Sequence, residues 1–163
     1  MCAAALYNES LALHKQLGNT TEIPALVHNL GYVALGQGDG LGARALFGES
    51  LHRQHALGNR AGVAEGLTGL GALALESGQP ERAARLLGAA DGLRKRESLP
   101  VWPAERFEIM RYSAAARAQL PRPIFEQQWE AGQRLSLSEA LTYAAVDDLT
   151  EGSICVDGCQ NPR

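Results

Sequence analysis

His52 and His55 are the closest this chain comes to a metal-binding pair. Three residues apart on a helix, they share a face and could grip one ion. A metal site needs further ligands, and no carboxylate or thiol joins them at matching spacing, so the pair reads as polar groups on an outer face. Cys155 and Cys159 bring two thiols, but His55, the nearest histidine, is a hundred residues away. With Cys2 at the other end, the cysteines form an odd set that frames no disulfide scaffold. Gly36-Gln37-Gly38-Asp39-Gly40 has the glycine density of a nucleotide-binding turn. No strand precedes it, so it reads as a break between helices. The chain holds no phosphate loop, no nucleophile elbow and no His-Glu-x-x-His. No catalytic residue, cofactor or metal is therefore expected.

The elements that would carry such groups are helices. Ala (26) and Leu (24) supply 50 of the 163 residues, while Val and Ile together supply 10. Ala and Leu favour helices and β-branched residues favour strands, which points to an all-α fold. The net charge of −3 excludes a general polyanion binder, so no direct nucleic-acid partner is expected. No apolar run approaches the ~20 residues that cross a bilayer, and Asn8 and Glu9 interrupt any signal-peptide core. No membrane partner is expected, and the default compartment is the cytoplasm. Arg94-Lys95-Arg96 falls at a helix end, where cations suit the helix dipole and cap exposed carbonyls.

A forty-residue repeat organises the body. Gly18-Asn19 recurs as Gly58-Asn59, Leu30-Gly31 as Leu70-Gly71, and Ala34-Leu35 as Ala74-Leu75. A small position reads Ala3, Ala43, Ala83, and a bulky one four residues on reads Tyr7, Phe47, Leu87. Each unit reads as two helices. Ile23, Val27, Leu30, Ala34 and Leu35 mark one apolar face. Ala43, Leu46, Phe47, Ser50 and Leu51 mark the next, ended at Gly58-Asn59. Gly31 and Gly71 fall mid-helix, at a cost of roughly 1 kcal/mol each, which implies close approach of a neighbouring helix.

The set Val27, Leu30, Gly31, Ala34, Ala43, Phe47 and Ser50 resembles the tetratricopeptide repeat. It recurs as Leu67, Leu70, Gly71, Ala74, Ala83, Leu87 and Ala90. The resemblance covers residues 3 to 96 and implies a helical-hairpin solenoid of about two and a half repeats. It also implies a concave face lined by first helices: Ala25, His28, Asn29 and Tyr32, then Glu65, Thr68, Gly69 and Ala72. Relatives that clamp a terminal carboxylate use Lys or Arg with Asn. Asn29 is present here without either cation, so that mode is not expected. Residues 3 to 17 match only the second helix of a unit. The chain then reads as the C-terminal part of something longer, with an apolar flank on this first helix that favours self-association.

Residues 1–98 are thus expected to form the repeats, 99–149 capping helices, and 150–163 a disordered acidic tail. Pro100 and Pro103 favour an extended link. Ala104 to Ala118 reads as a helix with Phe107, Met110, Ala114 and Ala118 near one face. Phe125 and Trp129 mark another, which Trp129 seats on the last repeat. Ser136 with Glu139 forms a capping box for a third. Residues 123 to 163 carry a local charge of −5. Arg85-Leu86-Leu87-Gly88-Ala89-Ala90, then Phe125-x-x-x-Trp129-x-x-Gly132, resembles the C-terminus of large bacterial multidomain regulators. Some of these carry a LuxR-type DNA-binding domain, others a cyclase. The resemblance implies a non-enzymatic interaction or scaffold module with a protein or peptide partner, met at His28, Asn29, Tyr32, Glu65 and Thr68. The alternative is a small-ligand sensor, with Glu65, His28 and Tyr32 as its polar contacts.

Overall fold

The turns set the frame. Gly38, Gly58 and Gly78 stand twenty residues apart, each with positive φ (77°, 69° and 74°). After each, an amide reaches back to a carbonyl five residues earlier: Asp39 to Ala34, Asn59 to Gln54 and Gln79 to Ala74. This closes the helix ends with a left-handed glycine that other side chains would strain. Asp39 and Asn59 then start the following helices, their side chains accepting from the amides of Gly42 and Gly62.

The computed structural model describes residues 3–18 and 20–146. Of these, 83% are helical and none is in a strand. Eight helices follow in order among the described residues: α1 (Ala3–Gln16), α2 (Ile23–Gly36), α3 (Gly40–Ala56), α4 (Arg60–Glu76), α5 (Pro80–Glu97), α6 (Pro103–Gln119), α7 (Arg122–Arg134) and α8 (Leu137–Ala145). From α1 to α6, each helix packs on the next in sequence. In addition α2 touches α4, and α4 touches α6, so alternate helices form one wall. No helix among the described residues is long and apolar enough to cross a membrane. The expectations on Cys2, Cys155, Cys159 and the acidic stretch 150–163 lie outside the described residues.

The core is built from small residues and a few large ones. Phe47, Val63 and Leu67 are fully buried, with Ala43, Ala64, Ala72 and Ala83 between them. A methyl at Gly31 would lie 2.6 Å from the Phe47 ring, and one at Gly71 would lie 2.9 Å from Leu87 Cγ. The two contacts are forty residues apart. The close approach comes from a side chain of the next helix, not from its backbone. The Ser50 hydroxyl donates to the Pro24 carbonyl at 2.8 Å and ties α3 to the start of α2.

The helix α5 organises the C-terminal part. It meets α7 through glycines. A methyl at Gly88 would sit 3.1 Å from Trp129 Cα, one at Gly92 2.7 Å from Gln133 Cα, and one at Gly132 2.9 Å from the Ala89 amide nitrogen. The two backbones therefore run in contact. Phe125 is buried beneath them and stacks on a half-buried Trp129, with centroids 5.5 Å apart. Seating of α7 thus rests on the glycines, on Phe125 and on Trp129, which packs half-buried against the core. The Arg82 guanidinium donates to the Val146 carbonyl at 2.7 Å and lies 5.1 Å from the Tyr143 ring centroid, which caps α8. The Ser136–Glu139 capping box is present at the start of α8.

The face of α6 that the sequence marks with Phe107 and Met110 points outward. Phe107 and Met110 are 66% and 65% exposed, and Ala114 and Ala118 also face outward. The inward face of α6 carries Glu105, Tyr112 and Ala116 instead. It is turned that way by an ion pair from Glu105 to Arg94 and by Tyr112 stacking on Tyr32 at 6.3 Å. The basic run lies in the last turn of α5, as expected, and its three cations have separate partners. Arg94 is buried, Lys95 pairs with Asp91 at 2.7 Å, and Arg96 donates to the Leu135 carbonyl at 2.8 Å, capping α7.

Candidate functional site

The helices α2, α4 and α6 border an open cavity of about 550 Å³. Steps of three and four residues along α2 bring Ala25, His28, Asn29 and Tyr32 to its edge. The helix α4 adds Glu65 and Thr68 one turn apart. All five residues singled out from the sequence, His28, Asn29, Tyr32, Glu65 and Thr68, therefore border one space. Gly69 and Ala72 do not border it; Gly69 is closed off by the rings of Phe47 and His28.

A third wall was not foreseen. Glu105 and Glu108 enter from α6, with Trp102 at its N-cap, and Tyr7 enters from α1. The signal in sequence is faint: Trp102 lies between two prolines, and carboxylates three apart share a helical face. What aims Glu105 inward is Arg94 of α5. Its guanidinium pairs with the Glu105 carboxylate and donates to the Thr68 hydroxyl at 3.1 Å. That hydroxyl in turn donates to the Ala64 carbonyl at 2.9 Å, so Thr68 both accepts and donates.

Electrostatics follow from burial. His28 is only 8% exposed, its Nδ1 has no hydrogen-bond partner, and burial lowers its pKa to about 4. The imidazole is thus neutral at pH 7, edge-on to Tyr32 at 5.1 Å. Glu65 is held above the usual carboxylate range, first by burial and then by the charge of Glu105, with Arg94 opposing. Burial likewise raises the Tyr32 phenol, helped by Glu108. No group of three or more His, Cys, Asp or Glu among the described residues gathers closely enough to hold a metal ion. His52 and His55 sit elsewhere, exposed beside a smaller cavity of about 290 Å³ bordered by Leu51, Leu70 and Leu141.

Chemically the groove offers carboxylates, aromatic faces and a neutral imidazole. Such a set can recognise and orient a group. Comparison with protein-family models, with curated proteins and with solved structures finds no match to this chain.

Proposed function

We propose that this chain is a non-enzymatic interaction module that receives a protein or peptide partner in the groove between α2, α4 and α6. The forty-residue recurrence of Gly31 against Phe47 and Gly71 against Leu87 supports a tetratricopeptide-like array of hairpins. The parent class suggested by the sequence is the C-terminal repeat segment of a bacterial signalling or transcription regulator. One observation carries the binding role: five residues picked for a concave face border a single cavity with aromatic and acidic walls. Thermal-shift screening of short peptides tests it. A saturable stabilisation abolished by Asn29→Phe, which would fill the groove, supports the reading. Stabilisation untouched by that change sinks it.

A small-ligand sensor is the second reading. Its support is the cavity size: about 550 Å³ lies within the ~300–1,000 Å³ typical of small-molecule sites. The same screen with metabolites distinguishes the two. Self-association through residues 3–17 belongs to the proposal as well, supported by the exposure of Leu6, Leu13 and Leu17.

A further inference from the structure

We propose that the groove takes a positively charged ammonium or guanidinium group, carried by a basic peptide side chain or by a small organic amine. The inference rests on the groove being a recognition site and specifies what it recognises.

The charge inventory is one-sided. Glu65, Glu105 and Glu108 border the cavity, and no Lys or Arg among the described residues does. Arg94, behind Thr68, neutralises Glu105. Glu65 and Glu108 have no ion-pair partner among the described residues, and Glu108 Oε2 is buried without a hydrogen bond. A buried acceptor left unfilled costs roughly 1–3 kcal/mol, and more when charged.

His28 points the same way independently. It is more than nine-tenths buried, borders the cavity, and its Nδ1 is unpartnered. As a neutral ring it has one lone pair, which a donating ligand can engage at Nδ1 when the proton sits on Nε2. Thr68, by contrast, already donates and accepts. The unfilled atoms are therefore predominantly acceptors, and the complementary ligand is one that donates. Ammonium and guanidinium groups only donate, and they bring the missing charge.

The walls also select the kind of cation. The acidic groups are too dispersed for a metal ion, as no such group of three gathers among the described residues. An alkylammonium or guanidinium is larger and fits a space of about 550 Å³. Tyr32 and the 66%-exposed Trp102 present aromatic rings at that space, which attract organic cations. Glu65, kept above its usual range by burial and by Glu105, would be eased by a cation beside it.

The test uses the full chain at fixed ionic strength, with the Trp102 indole N–H followed by NMR. The probes are n-butylammonium against 1-butanol, and Nα-acetyl-lysine methylamide against its norleucine counterpart. Both cations should shift Trp102 saturably, and the neutral partners should bind at least about tenfold more weakly. The lysine amide binding more tightly than butylammonium would assign a peptide source; the reverse order would assign a free amine. Glu65→Gln and Glu108→Gln should each weaken cation binding about tenfold without changing the thermal midpoint by more than a few degrees. Equal binding of charged and neutral probes, or no binding of either cation, overturns the proposal on the unaltered chain. Charge-blind binding that Asn29→Phe abolishes would still uphold recognition in the groove. Charge-selective binding indifferent to Asn29→Phe would place it elsewhere and overturn both.

Discussion

Arg94 of α5 and Glu105 of α6 form an ion pair whose side chains are only 8% and 12% exposed. The pair fixes the third wall of the groove, since Glu105 is the first inward residue of α6. Its energetic worth lies mainly in completeness: a buried charge without its partner is costly.

Arg94→Met should therefore destabilise the fold by about 3–5 kcal/mol, because Glu105 is left buried and unpaired. Adding Glu105→Leu should recover most of that loss. Urea denaturation of both single variants and the double variant gives the coupling. Additive losses would mean that the pair is not the link between α5 and α6.

Contact between α5 and α7 leads to a different expectation. At Gly132 and Gly92 an added methyl meets backbone atoms, which cannot rotate away. Gly132→Ala should cost on the order of 1–3 kcal/mol or more by separating the helices. Gly48 is the control, being helical, exposed and with nothing within 4 Å of an added methyl. Gly48→Ala should stabilise by up to about 1 kcal/mol. Thermal midpoints moving in opposite directions would bear out the glycine contact; parallel shifts would refute it.

These glycines show how far sequence carries. The forty-residue spacing and the capping box at Ser136 were legible because local chemistry determines them. That Gly31 and Gly71 need room was also legible. What fills the room is a side chain of the neighbouring helix, Phe47 at Gly31 and Leu87 at Gly71. The orientation of α6 was not legible, since its sequence carries two candidate faces. Phe107 and Met110 mark the more apolar one, yet Glu105 and Tyr112 face inward because Arg94 and Tyr32 meet them there. Arg94 itself looked like a helix-end charge. A contact between side chains of α5 and α6 across a turn leaves no periodic trace, so Trp102, Glu105 and Glu108 were missed from the groove.

Acid should act through His28. Its pKa is 6.5 when unfolded and about 4 when folded, lowered by burial. Below pH 6.5 the unfolded chain gains a proton that the folded chain refuses, so stability falls between pH 6.5 and 4 and then levels off. The loss attributable to this ring is roughly 3 kcal/mol. Glu65 shifts upward and contributes with the opposite sign in acid, stabilising as it takes up a proton. Comparing the unaltered chain with His28→Leu isolates the histidine. Urea midpoints at pH 7.0, 5.5 and 4.5 should fall less steeply for the variant. Identical slopes would show that the ring takes up its proton as readily folded as unfolded.

The last expectation concerns α1. Leu6 and Leu13 are each 51% exposed and Leu17 is 79% exposed. Steps of seven and four residues place all three along one stripe, while Tyr7 and Leu11 are half-buried. A stripe of leucines open to water gains about 25 cal/mol for each Å² it covers. A second copy offers the same stripe, and a two-fold arrangement buries both at once. Sedimentation velocity should therefore show a concentration-dependent monomer–dimer equilibrium. Leu6→Glu with Leu13→Glu should shift it to monomer, because like charges would face each other across the two-fold. The variant should keep its helicity, since neither leucine contributes to the buried core. A chain that stays monomeric at high concentration would leave the stripe an ordinary exposed surface.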